Sequence, residues 1–124
     1  MLLDAPCSAT GTFRRHPEVL YRARPSVIAD CAQLQARLID RAAAMLKPGG
    51  CLVYAVCSLE PREGEQIIAA FLGRDPAFQL DPPNPGELPE RVTLAPEGWL
   101  QVLPGMLEAE GGLDGFFVAR LRRL

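Results

Sequence analysis

Between Ser26 and Lys47, apolar residues recur at steps of three and four: Val27, Ile28, Cys31, Leu34, Leu38, Ile39, Ala42, Met45 and Leu46. This spacing predicts a helix with one buried stripe. Pro48-Gly49-Gly50 ends it, because glycine accepts the left-handed cap and proline cannot continue the helix. Cys51-Leu52-Val53-Tyr54-Ala55-Val56-Cys57 follows as a nearly unbroken apolar run, the pattern of a parallel strand covered on both faces. Residues 1 to 5 read as the end of an earlier buried strand, stopped by Pro6, with a loop over Ser8 to Gly11. Strand, long helix and strand make a βαβ unit, whose crossover is nearly always right-handed and makes the two strands parallel. That order restricts the chain to an α/β fold.

The 124 residues suffice for one small domain and not for two. A second helix is expected from about Pro61 to Gly73, with Ile67, Ile68, Phe71 and Leu72 inward. Glu60, Glu63 and Glu65 sit near its N-terminus, where the helix dipole favours acids. Six of the 12 prolines fall between Pro76 and Pro96, which argues against regular structure there. Trp99 to Leu103 and Gly115 to Leu121 read as an antiparallel hairpin, with Trp99, Phe116 and Phe117 in its core. No run of about 20 apolar residues is present, so no membrane span is expected and the cytoplasm is the default location.

In parallel sheets, ligands bind beyond the carboxyl ends of the strands. Asp4 and Cys7 lie past the end of the first strand and Cys57 ends the second. Adjacent strands run about 4.8 Å apart, so two thiols and a carboxylate are expected in one crevice. Cys31, on the helix stripe, and Cys51, at a strand start, read as small buried hydrophobes. Cys57 precedes Ser58 and a helix N-terminus, an environment that raises thiolate content. The four cysteines lack the spacing of a zinc knuckle or redox pair, and no metal site is expected.

Asp4-Ala5-Pro6-Cys7-Ser8-Ala9-Thr10-Gly11, then Arg14-Arg15-His16-Pro17, then Leu46-Lys47-Pro48-Gly49-Gly50, then Cys57-Ser58-Leu59 and finally Asp114-Gly115-Phe116-Phe117 occur in that order. The series resembles the RNA cytosine-5 methyltransferases, above all the bacterial 16S ribosomal RNA enzymes of the Rsm type, relatives of the Nop/NSun proteins. The resemblance implies the C-terminal half of a Rossmann-like methyltransferase fold, with two parallel strands, helices and a C-terminal antiparallel hairpin. It implies Cys57 as the nucleophile that attacks carbon 6 of cytosine, activating carbon 5 for a methyl group from S-adenosylmethionine. Cys7 matches the second cysteine, associated with release of the methylated base. Asp4 matches an acid beside both cofactor and base, and Pro6 the stiff turn that presents these groups at the cofactor. Val56 stands where the family usually has threonine, and Arg62-Glu63-Gly64-Glu65 replaces an acidic-asparagine stretch.

The family's glycine-rich cofactor loop has no counterpart here, since Gly11 stands alone and Gly49-Gly50 closes a helix. Residues 1–124 are therefore expected to form the C-terminal part of one catalytic domain, inactive alone, with a separately encoded N-terminal half as a possible partner. Two other classes are a non-catalytic RNA-binding or split-enzyme subunit and a thiol oxidoreductase, the latter disfavoured by the absence of Cys-x-x-Cys. The net charge of −2 excludes a uniformly basic surface, so RNA contact must be local. Arg14, Arg15, His16, Arg22 and Arg24 face only Glu18 as opposing charge within their segment and read as a phosphate-positioning patch for RNA, 16S rRNA by resemblance. Arg120, Arg122 and Arg123 read as an ordinary solvated end.

Overall fold

The computed structural model describes all 124 residues. Its strands are β1 (Leu2–Asp4), β2 (Cys51–Val56), β3 (Phe78–Leu80), β4 (Leu100–Val102) and β5 (Phe116–Arg123). Its helices are α1 (Val19–Arg22), α2 (Pro25–Ala44) and α3 (Glu65–Arg74). β1 pairs β2 in parallel, Leu2 opposite Val53 and Asp4 opposite Ala55, as the βαβ order requires. β5 lies antiparallel to β2, with Cys51 opposite Arg122 and Val56 opposite Phe117. The other edge of β5 holds two short strands end to end, β3 against Leu121–Arg123 and β4 against Phe116–Val118. The expected hairpin of β4 and β5 is present, but β5 is the sheet's organising strand rather than a peripheral one.

The core explains the alternation in β2. Leu52, Tyr54 and Val56 are fully buried, together with Phe117, Ala119 and Leu121 from β5. Onto this face pack Ile39, Ala42 and Ala43 of α2 and Ile67, Ile68 and Phe71 of α3. Phe117 sits edge-on to Tyr54 at 6.3 Å between centroids and tilted against Trp99 at 5.8 Å. Each such pair adds about 0.5–1.5 kcal/mol beyond area burial.

Several expectations need correction. β2 is not covered by helices on both faces: Cys51, Val53 and Ala55 on the opposite side are only half-buried. A cleft of about 240 Å³ opens there between Val53, Val118 and the proline-rich segment at Pro83, Glu87 and Leu88. β1 is an edge strand rather than a buried one, with Leu2 68% exposed and Leu3 alone reaching the core cluster. α3 begins at Glu65, not Pro61, because residues 61–64 form a turn that carries Glu63 inward. Gly64 allows this turn to lie on the ring of Phe117, where a Cβ would stand 2.7 Å from Phe117 Cγ.

The proline-rich segment is also more ordered than its composition suggests. Phe78–Leu80 forms β3 because β5 offers a free edge beside it, and Phe78 is buried edge-on to Phe71. The terminal arginines are its anchors rather than a solvated end. Arg120 donates to the carbonyls of Asp81 and Pro82 and pairs with Glu87, while Arg122 pairs with Asp81 at 2.7 Å. Arg123 donates to the carbonyl of Leu46 and lies over the Phe78 ring. Phe116, in contrast to Phe117, is partly exposed and outside the core.

Candidate active site

The chain leaves β1 and β2 at the same end of the sheet, and two main-chain bonds hold the exits together. Ala5 N–H donates to Ala55 O at 2.9 Å and Gly11 N–H donates to Cys57 O at 3.0 Å. Between these ties, the sulfurs of Cys7 and Cys57 stand 3.5 Å apart although fifty positions separate them in sequence. Both side chains are half-buried and unoxidised. Strand adjacency therefore brings the two thiols together as expected, whereas Asp4 makes no hydrogen bond with either.

Burial pushes the Cys7 thiol up to about 12, aided by the nearby Cys57 and Glu63 and opposed by a hydrogen bond from the Ala9 backbone. Burial thus favours the thiol form of Cys7, and either sulfur can donate to the other across the contact. Cys57 does not abut a helix N-terminus as expected, since residues 58–64 intervene before α3. Asp4 ends β1 with an exposed side chain that makes no hydrogen bond or ion pair, and Pro6 is exposed beside it. The Pro6 carbonyl accepts from Gln35 Nε2 at 2.9 Å, which fixes the turn before Cys7 to α2. Cys31 is half-buried on α2, its thiol raised by burial and by Glu63. Cys51 offers its carbonyl to the terminal ammonium of Met1 at 2.8 Å.

Beneath the sulfurs lies a polar cluster that sequence reasoning missed. Glu63 and Gln35 are fully buried and Ser58 nearly so. Glu63 accepts hydrogen bonds from Ser8, Ser58 and Gln35. Thr10 Oγ1 accepts from Leu59 N–H at 3.0 Å and contacts Ser58 Oγ at 3.2 Å. The signal in sequence was slight: serines directly after both cysteines, and a glutamate in a segment read as a solvated helix start.

Three members of the expected basic patch carry acidic partners, one of them from outside the segment. Arg14 and Arg15 both bind Asp114, a residue a hundred positions away that is 9% exposed, and His16 Nδ1 lies 3.4 Å from Glu18. The hydrogen bonds from Arg15, then Arg14, hold the Asp114 carboxyl below the usual carboxylate range. Arg15 N–H donates to Thr12 O at 3.0 Å, and Gly11 N–H to Cys57 O at 3.0 Å, so this end of the patch continues from the loop tied to Cys57. Arg22 and Arg24 are exposed and make no ion pair. No cluster of three or more His, Cys, Asp or Glu is arranged to hold a metal ion, and no helix is long and apolar enough to cross a membrane.

Residues 1–122 match the model of the 16S rRNA methyltransferase RsmB/F family. The chain belongs to that family. Ribosomal RNA small subunit methyltransferase B of Thermus thermophilus is 45% identical over 124 residues, all of this chain and 29% of the relative. The solved structure of PH0851 superposes with a TM-score of 0.84 at 36% identity, covering 98% of this chain and 26% of that one. NSun6 from Pyrococcus horikoshii, solved with SFG, gives a TM-score of 0.75 at 26% identity over 98% of this chain and 29% of its own. The chain thus spans about a quarter to three tenths of the length of the curated relatives it matches. Its fold is the mixed α/β arrangement of Rossmann-like RNA methyltransferases.

Proposed function

We propose that this chain carries the cysteine pair of an enzyme that methylates carbon 5 of cytosine in 16S ribosomal RNA. The observation that carries this reading is the 3.5 Å approach of Cys7 and Cys57 at the carboxyl end of two parallel strands. The family match and the named relatives, ribosomal RNA methyltransferases, support the substrate class. The target base must leave its stack to reach two half-buried sulfurs.

Cys57 is the nucleophile. Its thiolate sulfur forms a bond to carbon 6 of the cytosine, and the electron pair of the carbon 5–carbon 6 double bond moves onto carbon 5. S-adenosylmethionine, when bound, supplies the methyl group that carbon 5 takes. Water takes the carbon 5 proton, the carbon–hydrogen electron pair re-forms the carbon 5–carbon 6 double bond, and the sulfur–carbon 6 pair leaves with the Cys57 sulfur. Cys7, held as a thiol by burial, points its S–H at the departing Cys57 sulfur and stabilises the leaving thiolate. Asp4 holds the polar edge of the base.

The residues present suit one side of a cofactor site. The unengaged Asp4 carboxylate and the exposed Pro6 border the sheet end where a nucleoside edge would lie. A neighbour solved with SFG, an analogue of S-adenosylmethionine, supports the same ligand class. Arg14, Arg15, His16, Arg22 and Arg24 contact phosphates beside the crevice.

The test uses the Thermus thermophilus relative with its matching segment replaced by this chain, and follows transfer of a labelled methyl group to 16S rRNA. Cys57→Ala should abolish transfer. Cys7→Ala should accumulate a protein–RNA adduct that survives denaturation. An active hybrid that keeps full activity in either variant, or forms the adduct without Cys57, would refute the mechanism.

A further inference from the structure

Glu63 is the least expected member of the cluster under the sulfurs. It is wholly buried, yet no arginine, lysine or histidine reaches it. A buried carboxylate persists only when its acceptor sites are filled. Oε1 accepts from Ser8 N–H at 2.9 Å and from Gln35 Nε2 at 3.1 Å. Oε2 accepts from Ser8 Oγ at 2.5 Å and from Ser58 Oγ at 2.6 Å. Ser8 directly follows Cys7 and Ser58 directly follows Cys57, so one carboxylate grips both loops at the residue next to each sulfur. The grip is itself anchored, because Tyr54 Oη donates to the Glu63 carbonyl at 2.6 Å from within the core.

We propose that Glu63 is a positioning residue that sets the spacing of Cys7 and Cys57, acting through Ser8 and Ser58 and never touching substrate. The proposal rests on the reading above only in treating the two cysteines as a working pair. Its hydrogen-bond pattern makes an unusual demand. The partners of Oε1 are an amide N–H and a carboxamide NH₂, which can only donate, whereas the partners of Oε2 are hydroxyls, which can also accept. Glutamine therefore fits in one orientation, with its oxygen on the Oε1 side and its NH₂ donating to both serine hydroxyls. The clamp depends on the shape and donor order of the group rather than on its charge.

The readout is the ease of joining the two sulfurs in the full chain. Reduced protein is equilibrated with mixtures of reduced and oxidised glutathione. Each Cys7–Cys57 disulfide formed releases two hydrogens from the thiols and converts one oxidised glutathione into two reduced ones. Peptide mass spectrometry then gives the fraction linked and hence the effective concentration of one thiol at the other. Glu63→Gln should stay within about threefold of wild type, while Ser8→Ala, Ser58→Ala and Glu63→Ala should each lower the value by about tenfold or more, the scale of one buried polar group left without its partner. Phe71→Leu, which loosens the core away from the clamp, should leave it unchanged.

Folded Ser8→Ala and Ser58→Ala proteins with wild-type values, or Glu63→Gln falling as far as Glu63→Ala, would overturn the proposal. If Glu63→Ala does not fold, the serine and glutamine variants decide. Methyl transfer has no part in the measurement, so failure of the clamp and failure of the methyltransferase reading remain distinct results.

Discussion

Gly11→Ala is the substitution whose effect the coordinates specify most sharply. Gly11 sits where the loop after Cys7 crosses the loop before β5. A Cβ there would stand 2.0 Å from Gly115 O, 2.6 Å from its carbonyl carbon and 2.9 Å from its Cα. All three obstacles are backbone, and Gly115 is itself backed by the Leu59 side chain. Relief requires the two loops to part by an ångström or more, which breaks Gly115 N–H to Gly11 O at 2.7 Å and weakens Gly11 N–H to Cys57 O at 3.0 Å. Two backbone hydrogen bonds at about 1 kcal/mol each, with about 1–3 kcal/mol of overpacking strain, give a loss of about 3–5 kcal/mol. For a chain of this size that lowers Tm by about 12–19 °C. Gly73→Ala is the matched control: it lies in α3 with nothing within 4 Å of its new methyl group, and should stabilise by about 0.5–1 kcal/mol. Urea unfolding of both variants measures the contrast. A Gly11→Ala protein within about 1 kcal/mol of wild type would show that the loops are not locked at this crossing.

Tyr54→Phe removes the donor to the buried Glu63 carbonyl and should cost about 1–2 kcal/mol in urea unfolding, a value that near-zero loss would contradict. The Cys7 thiol is raised by burial from 9.0 to about 12 in the folded chain, so between those values the unfolded chain loses a proton that the folded chain keeps. Stability present below pH 9.0 is therefore lost as pH climbs toward 12, with Tyr54, also raised by burial, acting in the same direction. Comparing unfolding midpoints at mildly and strongly alkaline pH should show a smaller decline in Cys7→Ala, and an identical decline would be the contrary result. If Arg22 and Arg24 each neutralise one phosphate, replacing both with alanine should reduce the slope of log affinity against log salt by about 1.4 for single-stranded RNA. An unchanged slope in a filter-binding titration would remove them from the interface.

The helix stripe of α2, its Pro-Gly-Gly stop and the apolar run of β2 were legible because each is a pattern among near neighbours. The same patterns implied a parallel β1–β2 pair, and from it the meeting of Cys7 and Cys57, since strand spacing is nearly invariant. β3 was not legible: three residues among prolines carry no period, and Phe78–Leu80 becomes a strand only because β5 presents an unpaired edge. Asp114 belongs to the Asp-Gly-Phe-Phe motif, but nothing local to Arg14 or Arg15 announces a partner a hundred positions downstream.

Glu63 marks the same boundary most clearly. In sequence it is one acid among several ahead of a helix, where solvent and the helix dipole explain it without further argument. Only the folded chain brings Ser8 from beyond β1 and Gln35 from α2 to the same point as Ser58, turning an ordinary surface residue type into a buried junction. Periodicity and turn chemistry determined which elements form and which pair, because those preferences act over a few residues. The tertiary structure decided which polar groups meet under the sulfurs, because hydrogen-bond partners are selected by position in space and leave no spacing rule along the chain.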